Sequence, residues 1–463
     1  MMTRKKLYLD VSGVRIQSYL SRTTHLRGRR GASAALAEAT RLEDQEIRRL
    51  FGASLNTEAG EADGVVNLVL DAPDSEEEAD RLARDTAGRV FRHLRARLPA
   101  AEFQAVWAVD TSYLDAHRTT IGPRLREGDV LSDLPPVSEL PYARICERCH
   151  LDPARDRVHL GDGERPYLCP DCMMRFAHRT REDARTAEYE LQKRLGTPAR
   201  PKELPELAAL GGKDTDRNHV ATVFVDGNAF GHFFEKLAHH GRRLSAESKA
   251  RISRGLNQAT RDALAEAAAA VRRPEEDGDM LCVIPYLVGG DDVLLSLPAD
   301  RAWPFVRHYL RSFTERTKAV RAEADVPGLP PLSASAGLVF AHHKLPFHLV
   351  VEDAASCLAA AKRLVHGKKE SVAFYDHTAG HPTHALCLAD LEEHQSDLDA
   401  LTALPESGRH ALAAHLRHQA PHAAAATEAH LDRLGRRDVV EPFLADQAPI
   451  GLQQALDIAR WWR

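Results

Sequence analysis

Short apolar runs alternate with amphipathic stretches along the chain, and the pattern is clearest in its second half. A buried-strand pattern at 220–225 is followed by two apolar runs that meet at 289–292, and an alternating run occupies 331–343. Runs of this length, bounded by glycine and charged residues, predict strands, and the middle pair predicts a β-hairpin. The 3.6-residue period of 346–365 predicts a helix, and 372–375 predicts a closing strand.

The first half repeats this alternation more faintly. A strand-like start at Leu7 leads to a helical stretch at 32–51, an apolar strand at 65–71 and an amphipathic helix at 75–98. A further strand at 103–109 completes a βαββαβ-like unit. The expected fold class is therefore α+β, with two ferredoxin-like domains.

The predicted hairpin of the second half carries two glycines and two acids at its tip. Gly289 and Gly290 have no side chain, so a phosphate-bearing ligand can approach their backbone closely. Asp291 and Asp292 offer the hard oxygen ligands that Mg²⁺ or Mn²⁺ prefer. An ordinary turn can contain the same four residues, so this motif needs a second element to indicate a metal site.

That second element is an acid at the end of the strand at 220–225. Asp226 is the natural partner of Asp291, because a cation between two nucleotide phosphates needs carboxylates from more than one strand end. The Gly227 carbonyl could add a third oxygen. The alternative role for Asp226 is a helix N-cap. The residues that follow open a helix, where backbone dipoles favour a triphosphate. They are Asn228, Ala229, Phe230 and Gly231.

Two Cys-x-x-Cys motifs lie between the two halves. Cys146 and Cys149 are separated from Cys169 and Cys172 by 19 residues, a spacing typical of a structural Zn²⁺ site. A redox dithiol would need only one such motif. Three histidines nearby are possible replacement ligands, although four thiolates already complete a tetrahedral site. They are His150, His159 and His178.

Composition indicates an intracellular, multidomain protein. The chain has 463 residues, seven cysteines and a formal charge of −5, so RNA binding would depend on local basic patches. Four cysteines belong to the paired motifs, which argues against a disulfide scaffold. No apolar run reaches the ~18 residues of a membrane span, and we expect a cytoplasmic location.

Proline-rich and glycine-rich stretches suggest the domain boundaries. We expect a first domain at 1–135, a zinc-binding module with a helix at 140–195, and a catalytic domain at 214–380. The alanine-, histidine- and leucine-rich remainder, 381–463, predicts a helical bundle.

The region from about Val220 to Asp376 resembles the second palm domain of the large polymerase/cyclase subunit of type III CRISPR effector complexes. That domain is related to GGDEF diguanylate cyclases. Four motifs occur in the order of the family. They are Asp226-Gly227-Asn228, Gly289-Gly290-Asp291-Asp292, Ser333-Ala-Ser335-Ala-Gly337 and Ala361-Lys362 with Gly367-Lys368.

The start of the chain is similar to the first palm domain of the same family, including its basic stretch at Arg27, Arg29 and Arg30. These arginines could bind a phosphate or RNA backbone, or could simply be exposed to solvent. No Gly-Gly-Asp-Asp hairpin occurs here, so this half is expected to be catalytically silent. For Asp10, a structural role is favoured over metal binding.

The resemblance implies conversion of ATP to cyclic oligoadenylate-type second messengers in antiviral defence, with Mg²⁺ or Mn²⁺ and a structural Zn²⁺. Lys362, with Lys368 as the alternate, would hold the triphosphate as a point charge. The chain contains no His-Asp dipeptide, so the HD nuclease of many relatives is not expected. Possible partners are RNA or guide-RNA complex subunits, a separate sensor or effector protein, or a second copy of the chain.

Two other functions stay open at this stage. The chain could be a nucleotide- or RNA-binding scaffold subunit with an inactive palm. It could also be a diguanylate-cyclase-like enzyme that uses GTP, although the Asp291-Asp292 pair and the cysteine motifs weaken that interpretation.

Overall fold

The structure is a computed structural model. The residues that it describes are 4–23, 25–41, 44–59, 64–136, 142–160, 163–177, 186–212, 217–240, 246–324, 326, 328–380, 382–417, 429, 431–433, 435–444 and 448–462. His178, one of the possible replacement zinc ligands, lies outside these residues.

A four-stranded antiparallel sheet forms the first half, in the order β2-β1-β3-β4. Its strands are β1 (Lys6–Val14), β2 (Val65–Asp71), β3 (Glu102–Asp110) and β4 (Leu131–Asp133). Leu7, Leu9 and Val11 alternate onto one face and pack there among residues of α2 and α4. The helices of this half are α1 (Ile16–Leu20), α2 (Leu26–Thr40), α3 (Gln45–Phe51), α4 (Glu76–Arg97), α5 (Tyr113–Ala116) and α6 (Gly122–Glu127).

The segment between the halves contains short elements. They are β5 (Asp156–Arg157), β6 (Tyr167–Leu168), α7 (Pro170–Ala177), α8 (Ala187–Leu195) and α9 (Leu204–Ala208). Helix α7 packs against α2 so closely that a Cβ on Gly31 would lie 1.9 Å from the Arg175 carbonyl oxygen. A glycine is therefore required where these two helices meet.

A six-stranded sheet forms the second half, in the order β12-β11-β10-β7-β9-β8. The neighbours are antiparallel except for the parallel pair β10–β11. The strands are β7 (His219–Asn228), β8 (Ile284–Gly289), β9 (Asp292–Pro298), β10 (Ser333–His342), β11 (Ser371–Asp376) and β12 (His384–Cys387).

Helices cover both faces of the six-stranded sheet. Val223 and Val225 of β7 pack with α11 and α13, whereas Phe224 packs with α14 on the opposite face. The period of two along a strand therefore decides which helix each β7 side chain meets. The helices are α10 (Phe230–His240), α11 (Ala246–Val271), α12 (Pro274–Asp277), α13 (Ala302–Ala324) and α14 (Phe347–Val365).

The C-terminal region is largely helical, and it packs on the second half. Trp461 donates its indole N–H to Asp376 over 2.7 Å, and Trp462 donates to Asp399 over 2.7 Å. Its helices are α15 (Leu388–Glu393), α16 (Gln395–Thr402), α17 (Glu406–Arg417), α18 (Arg437–Val440) and α19 (Leu452–Ala459). The predicted helical character of this region is confirmed, and a short strand that the sequence did not indicate, β12, precedes its helices and extends the sheet.

The predicted α+β class is confirmed, but the interpretation of the basic stretch was wrong. Arg29 is 1% exposed and lies over the Phe347 ring at 3.5 Å. Arg30 is also buried and forms an ion pair with Glu188 at 2.5 Å. Arg27 donates to the Leu160 carbonyl over 2.9 Å. These guanidinium groups join the first half to other parts of the molecule, so they do not form an open surface for phosphate.

No helix within the described ranges combines the length and the apolar character that a membrane crossing requires.

Candidate active site

Strand β7 delivers Asp226 to the face of the sheet that α14 covers. Asp226 follows Phe224 by two residues, so both side chains lie on the same face of the strand, and Phe224 packs there in the core beneath α14. The side chain of Asp226 is 33% exposed. The strand runs through to Asn228, so Asp226 belongs to the sheet and is not a helix N-cap. Its carboxylate is thereby held by the strand while it stays accessible to solvent.

The Gly-Gly-Asp-Asp motif forms the predicted β-hairpin. Gly289 pairs with Asp292, which leaves Gly290 and Asp291 as the two turn residues. Gly290 has φ +61°, a region that favours glycine. Strand β9 is the direct neighbour of β7, so the turn residue Asp291 comes to lie beside the end of β7.

Asp291 approaches the backbone of β7 closely at Gly227. A Cβ on Gly227 would lie 2.6 Å from Oδ2 of Asp291 and 2.5 Å from the ring of Phe230. Real Cβ atoms do not tolerate such distances, so Gly227 is a steric requirement of this arrangement. The structure thus brings together Asp226, Gly227 and Asp291, the three groups that the sequence suggested for one cation.

Lys362 contacts both Asp226 and Gly227. Its ammonium group donates to the Asp226 carboxylate and, over 2.9 Å, to the Gly227 carbonyl oxygen. The lysine is 30% exposed and comes from the last turns of α14. In this state, Lys362 is the counter-ion of Asp226 and contacts the same oxygens that were suggested as metal ligands.

Burial, together with neighbouring carboxylates, raises the pKa of both acids of the hairpin. Burial raises the pKa of Asp291 to about 7, with a further contribution from the charge of Asp226, against the lowering effects of its own backbone N–H and of Lys362. Burial raises the pKa of Asp292 to about 8, with further contributions from the charges of Asp226 and Asp291 against the lowering effect of Lys362. One lysine therefore does not balance three carboxylates, and this donor set suits a divalent cation.

The three acids differ in how closely they approach one another. Among the described residues, the four cysteines are the one group of three or more His, Cys, Asp or Glu side chains close enough together to hold a metal ion, so Asp226, Asp291 and Asp292 do not converge as a complete set in this state. Asp292 is the first residue of β9, whereas Asp291 is in the turn. The hard oxygen donors thus fit Mg²⁺ or Mn²⁺ best around Asp226, Gly227 and Asp291.

The other suggested nucleotide-binding residues follow Gly227 in the chain or lie in the turn after α14. The Asn228 side chain is buried and donates to the Lys369 carbonyl over 2.8 Å, so only its backbone could meet a ligand. Ala229 has φ +64°, and Phe230 and Gly231 begin α10. Lys368 is exposed in the turn after α14, next to the Lys369 carbonyl that Asn228 contacts.

Two groups that position this site were not found from the sequence. Ser335 of β10 pairs with Asp226 of β7, and its hydroxyl donates a hydrogen bond to the Asn228 side chain over 3.0 Å. Thr260 of α11 donates to the Gly290 carbonyl over 2.6 Å. Ser335 was part of a recognised motif without an assigned role. Thr260 sits in an ordinary helical pattern that gives no sign of its contact.

A cavity of about 450 Å³ lies between the first half and α10. Gly231 and Phe234 line it from α10, and His117 and Arg118 line it from the π-helical segment His117–Ile121. The π-helix is a rare conformation that occurs often at functional sites. The cavity therefore meets the suggested phosphate-binding end of α10 at Gly231.

The four cysteines of the paired motifs meet in a buried cluster. Their ligand atoms all lie within 4.8 Å of one another, and Sγ of Cys149 is 3.8 Å from Sγ of Cys169. Tetrahedral Zn–S bonds of ~2.3 Å place neighbouring sulfurs ~3.8 Å apart. The cluster therefore has the donors and the size for Zn²⁺. His150 and His159 are exposed and are not part of it.

A family model described as "Cas10/Cmr2, second palm domain" matches residues 219–373, about a third of the chain. This range contains Asp226, the acidic hairpin and Lys362. The resemblance predicted from the sequence is confirmed. No curated protein matches the chain.

Solved structures of the same kind share the fold of almost the whole chain. A Csm1-Csm4 cassette in complex with AMPPNP matches with a TM-score of 0.58 and 13% identity, over 99% of this chain and 70% of that one. Csm1 in T. onnurineus matches with a TM-score of 0.57 and 14% identity, over 100% and 71%. An apo type III-B Cmr-beta structure matches with a TM-score of 0.50 and 12% identity, over 98% and 81%. At these identities the likeness shows the fold alone.

Proposed function

We propose that this chain is a metal-dependent nucleotidyltransferase that converts ATP into cyclic oligoadenylate-type second messengers, as part of type III CRISPR antiviral defence. The observation that carries the proposal is the meeting of Asp226, Gly227, Asp291 and Lys362 at two neighbouring strand ends of a Cas10/Cmr2-like palm. The AMPPNP complex of the Csm1-Csm4 cassette supports a nucleotide as the ligand.

Asp226, Asp291 and the Gly227 carbonyl, with Asp292 nearby, would hold Mg²⁺ or Mn²⁺. The cation would lower the pKa of an acceptor ribose hydroxyl and neutralise charge on the α-phosphate and leaving pyrophosphate. The protein itself binds and orients the nucleotides. Because Gly289 and Gly290 lack side chains and are only partly buried, they leave room for the acceptor at the hairpin.

The N-terminus of α10 suits the triphosphate. Its first backbone N–H groups, at Phe230 and Gly231, have no partner within the helix, and the aligned peptide dipoles favour negative charge there. Lys362 would bind the phosphates once a cation has taken over the charge of Asp226. The cavity beside Gly231 offers Phe234 as an aromatic surface and Arg118 as a cation for the rest of the nucleotide.

The cysteine cluster supports a structural zinc site. All four thiols are buried, and hydrogen bonding with Cys146 and its neighbours raises the pKa of Cys172 above its ordinary value. Four thiolates cannot form together at neutral pH without a cation to balance them. We therefore assign one Zn²⁺ to this module, in a role that is structural because the set is closed to further ligands.

A partner subunit is also part of the proposal. Csm1 is bound to Csm4 in the cassette structures that share this fold. By that likeness we infer that the chain works beside another subunit or a guide-RNA complex, with self-association as the alternative.

The decisive experiment incubates the purified protein with each labelled nucleoside triphosphate and Mg²⁺ or Mn²⁺, with and without RNA. Synthesis of oligonucleotide from ATP is expected, and Asp291→Ala should reduce it to background because the site loses one of its central ligands. Asp279→Ala is the matched control, since Asp279 is an exposed acid that precedes β8, away from the hairpin tip.

The other outcomes separate the remaining functions. Product from GTP alone would identify a diguanylate-cyclase-like enzyme. Nucleotide binding without product under all conditions would favour the scaffold function. Undiminished synthesis by Asp291→Ala would contradict the assignment of the acidic hairpin.

A further inference from the structure

The turn that contains Asp291 accepts a hydrogen bond from one side chain of α11. Thr260 is fully buried, and its hydroxyl donates to the Gly290 carbonyl oxygen over 2.6 Å. The Leu256 carbonyl, one turn earlier in the same helix, lies farther away, at 3.3 Å. A hydroxyl has a single proton to donate, so the shorter contact, to the hairpin, is the stronger one.

The Gly290 carbonyl belongs to the peptide group that leads into Asp291. Because the Gly290–Asp291 peptide bond is trans, the C=O and N–H of this group point in opposite directions. With the C=O directed at α11, the Asp291 N–H is directed away from that helix. The contact from Thr260 to the Gly290 carbonyl thus sets the orientation of the peptide group that leads into Asp291.

Gly290 does not enforce that orientation. Its φ of +61° lies in a region that glycine reaches as easily as its mirror image, and no atom lies within 4 Å of the place where a Cβ would be. Rotation of the central peptide changes ψ of Gly290 and φ of Asp291, and Gly290 has no Cβ that would resist the first of these changes. Such a rotation would turn the Asp291 N–H toward α11 and change the position of the carboxylate beside Gly227.

We propose that Thr260 is a positioning residue of the acidic hairpin. Its hydroxyl holds the Gly290–Asp291 peptide in the orientation that places the Asp291 carboxylate against β7, next to Asp226. Thr260 touches neither metal nor nucleotide, and it acts through the turn. The inference rests on the proposed function for its effect on synthesis, whereas its effect on cation binding can be measured without any reaction.

The test compares Thr260→Val with Thr260→Ser. Valine has the shape of threonine but leaves the Gly290 carbonyl without its donor, whereas serine keeps the hydroxyl. We expect Thr260→Val to weaken Mn²⁺ binding about tenfold. A buried carbonyl without a donor carries a free-energy penalty of this size, and the turn can avoid it by rotating away from the orientation that binds the cation. The Mn²⁺ affinity is measured by electron paramagnetic resonance on the full chain without nucleotide. The kcat of ATP conversion should fall with it while KM changes less, and Thr260→Ser should restore both.

Thr317→Val is the matched control. Thr317 is also buried in a helix of the same half, and its hydroxyl donates to the Phe313 carbonyl over 2.9 Å, away from the hairpin turn. Both valine variants are compared at a temperature well below their unfolding midpoints. The control should bind Mn²⁺ as the unmodified protein does.

The outcomes are distinct. Unchanged Mn²⁺ affinity in Thr260→Val, or an equal loss in Thr317→Val, would overturn the positioning role. A protein that binds Mn²⁺ but makes no product would end the proposed function, while the comparison of Mn²⁺ affinities would still decide the role of Thr260. Absence of Mn²⁺ binding in the unmodified protein would overturn both.

Discussion

Lys362 should oppose cation binding and support nucleotide binding, and replacing it separates the two effects. Its ammonium group contacts the Asp226 carboxylate and the Gly227 carbonyl, the oxygens assigned to the cation. A cation must displace the lysine from both. In Lys362→Met, a side chain of similar length without charge, the cation binds without this competition.

The size of the expected change in Mn²⁺ affinity depends on how exposed the Lys362–Asp226 ion pair is. Two unit charges 4 Å apart attract by ~4 kcal/mol at an effective dielectric constant of ~20. Lys362 is 30% exposed and Asp226 33%, so solvent reduces the value toward that of a surface pair, about 1 kcal/mol. We therefore expect the Mn²⁺ affinity of Lys362→Met to rise about fivefold at low salt, and less at high salt.

The effect on ATP should have the opposite sign. With the cation bound, Lys362 is released toward the triphosphate, and its loss should raise the KM for ATP about tenfold. Spin-resonance titration of Mn²⁺ without nucleotide and steady-state kinetics with ATP measure the two effects separately. Lys368→Met is the control for the Mn²⁺ titration, because it removes the same charge from an exposed position nearby. A lower Mn²⁺ affinity in Lys362→Met, or a higher one in Lys368→Met, would refute this reasoning.

Two further predictions concern stability. The purified protein should contain about one zinc per chain, and Cys169→Ser should lose it and lower the melting temperature; metal analysis that finds none in the unmodified protein would contradict the site. Asp10 is buried, which raises its pKa to about 7 even though Tyr113 donates a hydrogen bond to it. Since the unfolded value is ~3.9, this group favours folding most below pH ~4, and that contribution is lost as the pH rises toward 7, by up to ~4 kcal/mol. Asp10→Asn should therefore raise the melting temperature at pH 8 and flatten its decline between pH 4 and 7; an unchanged pH profile in calorimetry would show that Asp10 does not titrate in this way.

The strands and helices of the second half could be predicted because their patterns are local. The stretch predicted at 331–343 is β10 at Ser333–His342, and the helix predicted at 346–365 is α14 at Phe347–Val365. Alternation along a strand and the 3.6-residue period reflect which side chains are buried, and glycine and proline mark the ends. The hairpin was predictable for the same reason, since its turn needs glycine at Gly290.

Contacts between distant segments could not be predicted in this way. Arg29 and Arg30 have the sequence pattern of an exposed basic patch, but their partners Phe347 and Glu188 lie far along the chain. An arginine can be buried only when such partners exist, and a single sequence does not show them. Thr260 is a similar case, because its role depends on a carbonyl that the fold brings next to it.

Strand β12 was missed for a related reason. His384–Cys387 is four residues long, and it is stabilised by pairing with β11 at the edge of the sheet. Its own composition resembles that of the helices that follow. A strand this short is defined mainly by its neighbour, so no periodicity could reveal it.

Helix α14, which belongs to the second half, also packs against the first half. Its first residue, Phe347, is clamped between Arg29 of the first half and Tyr286, with ring centroids 4.7 Å apart for the aromatic pair. Fifteen residues later, over ~22 Å of helix, Lys362 contacts Asp226. Between these two ends the helix is buried against its own sheet, so close that a Cβ on Gly337 would lie 2.0 Å from the Ala354 carbonyl oxygen. One rigid element is therefore shared by the contact with the first half and the acidic site.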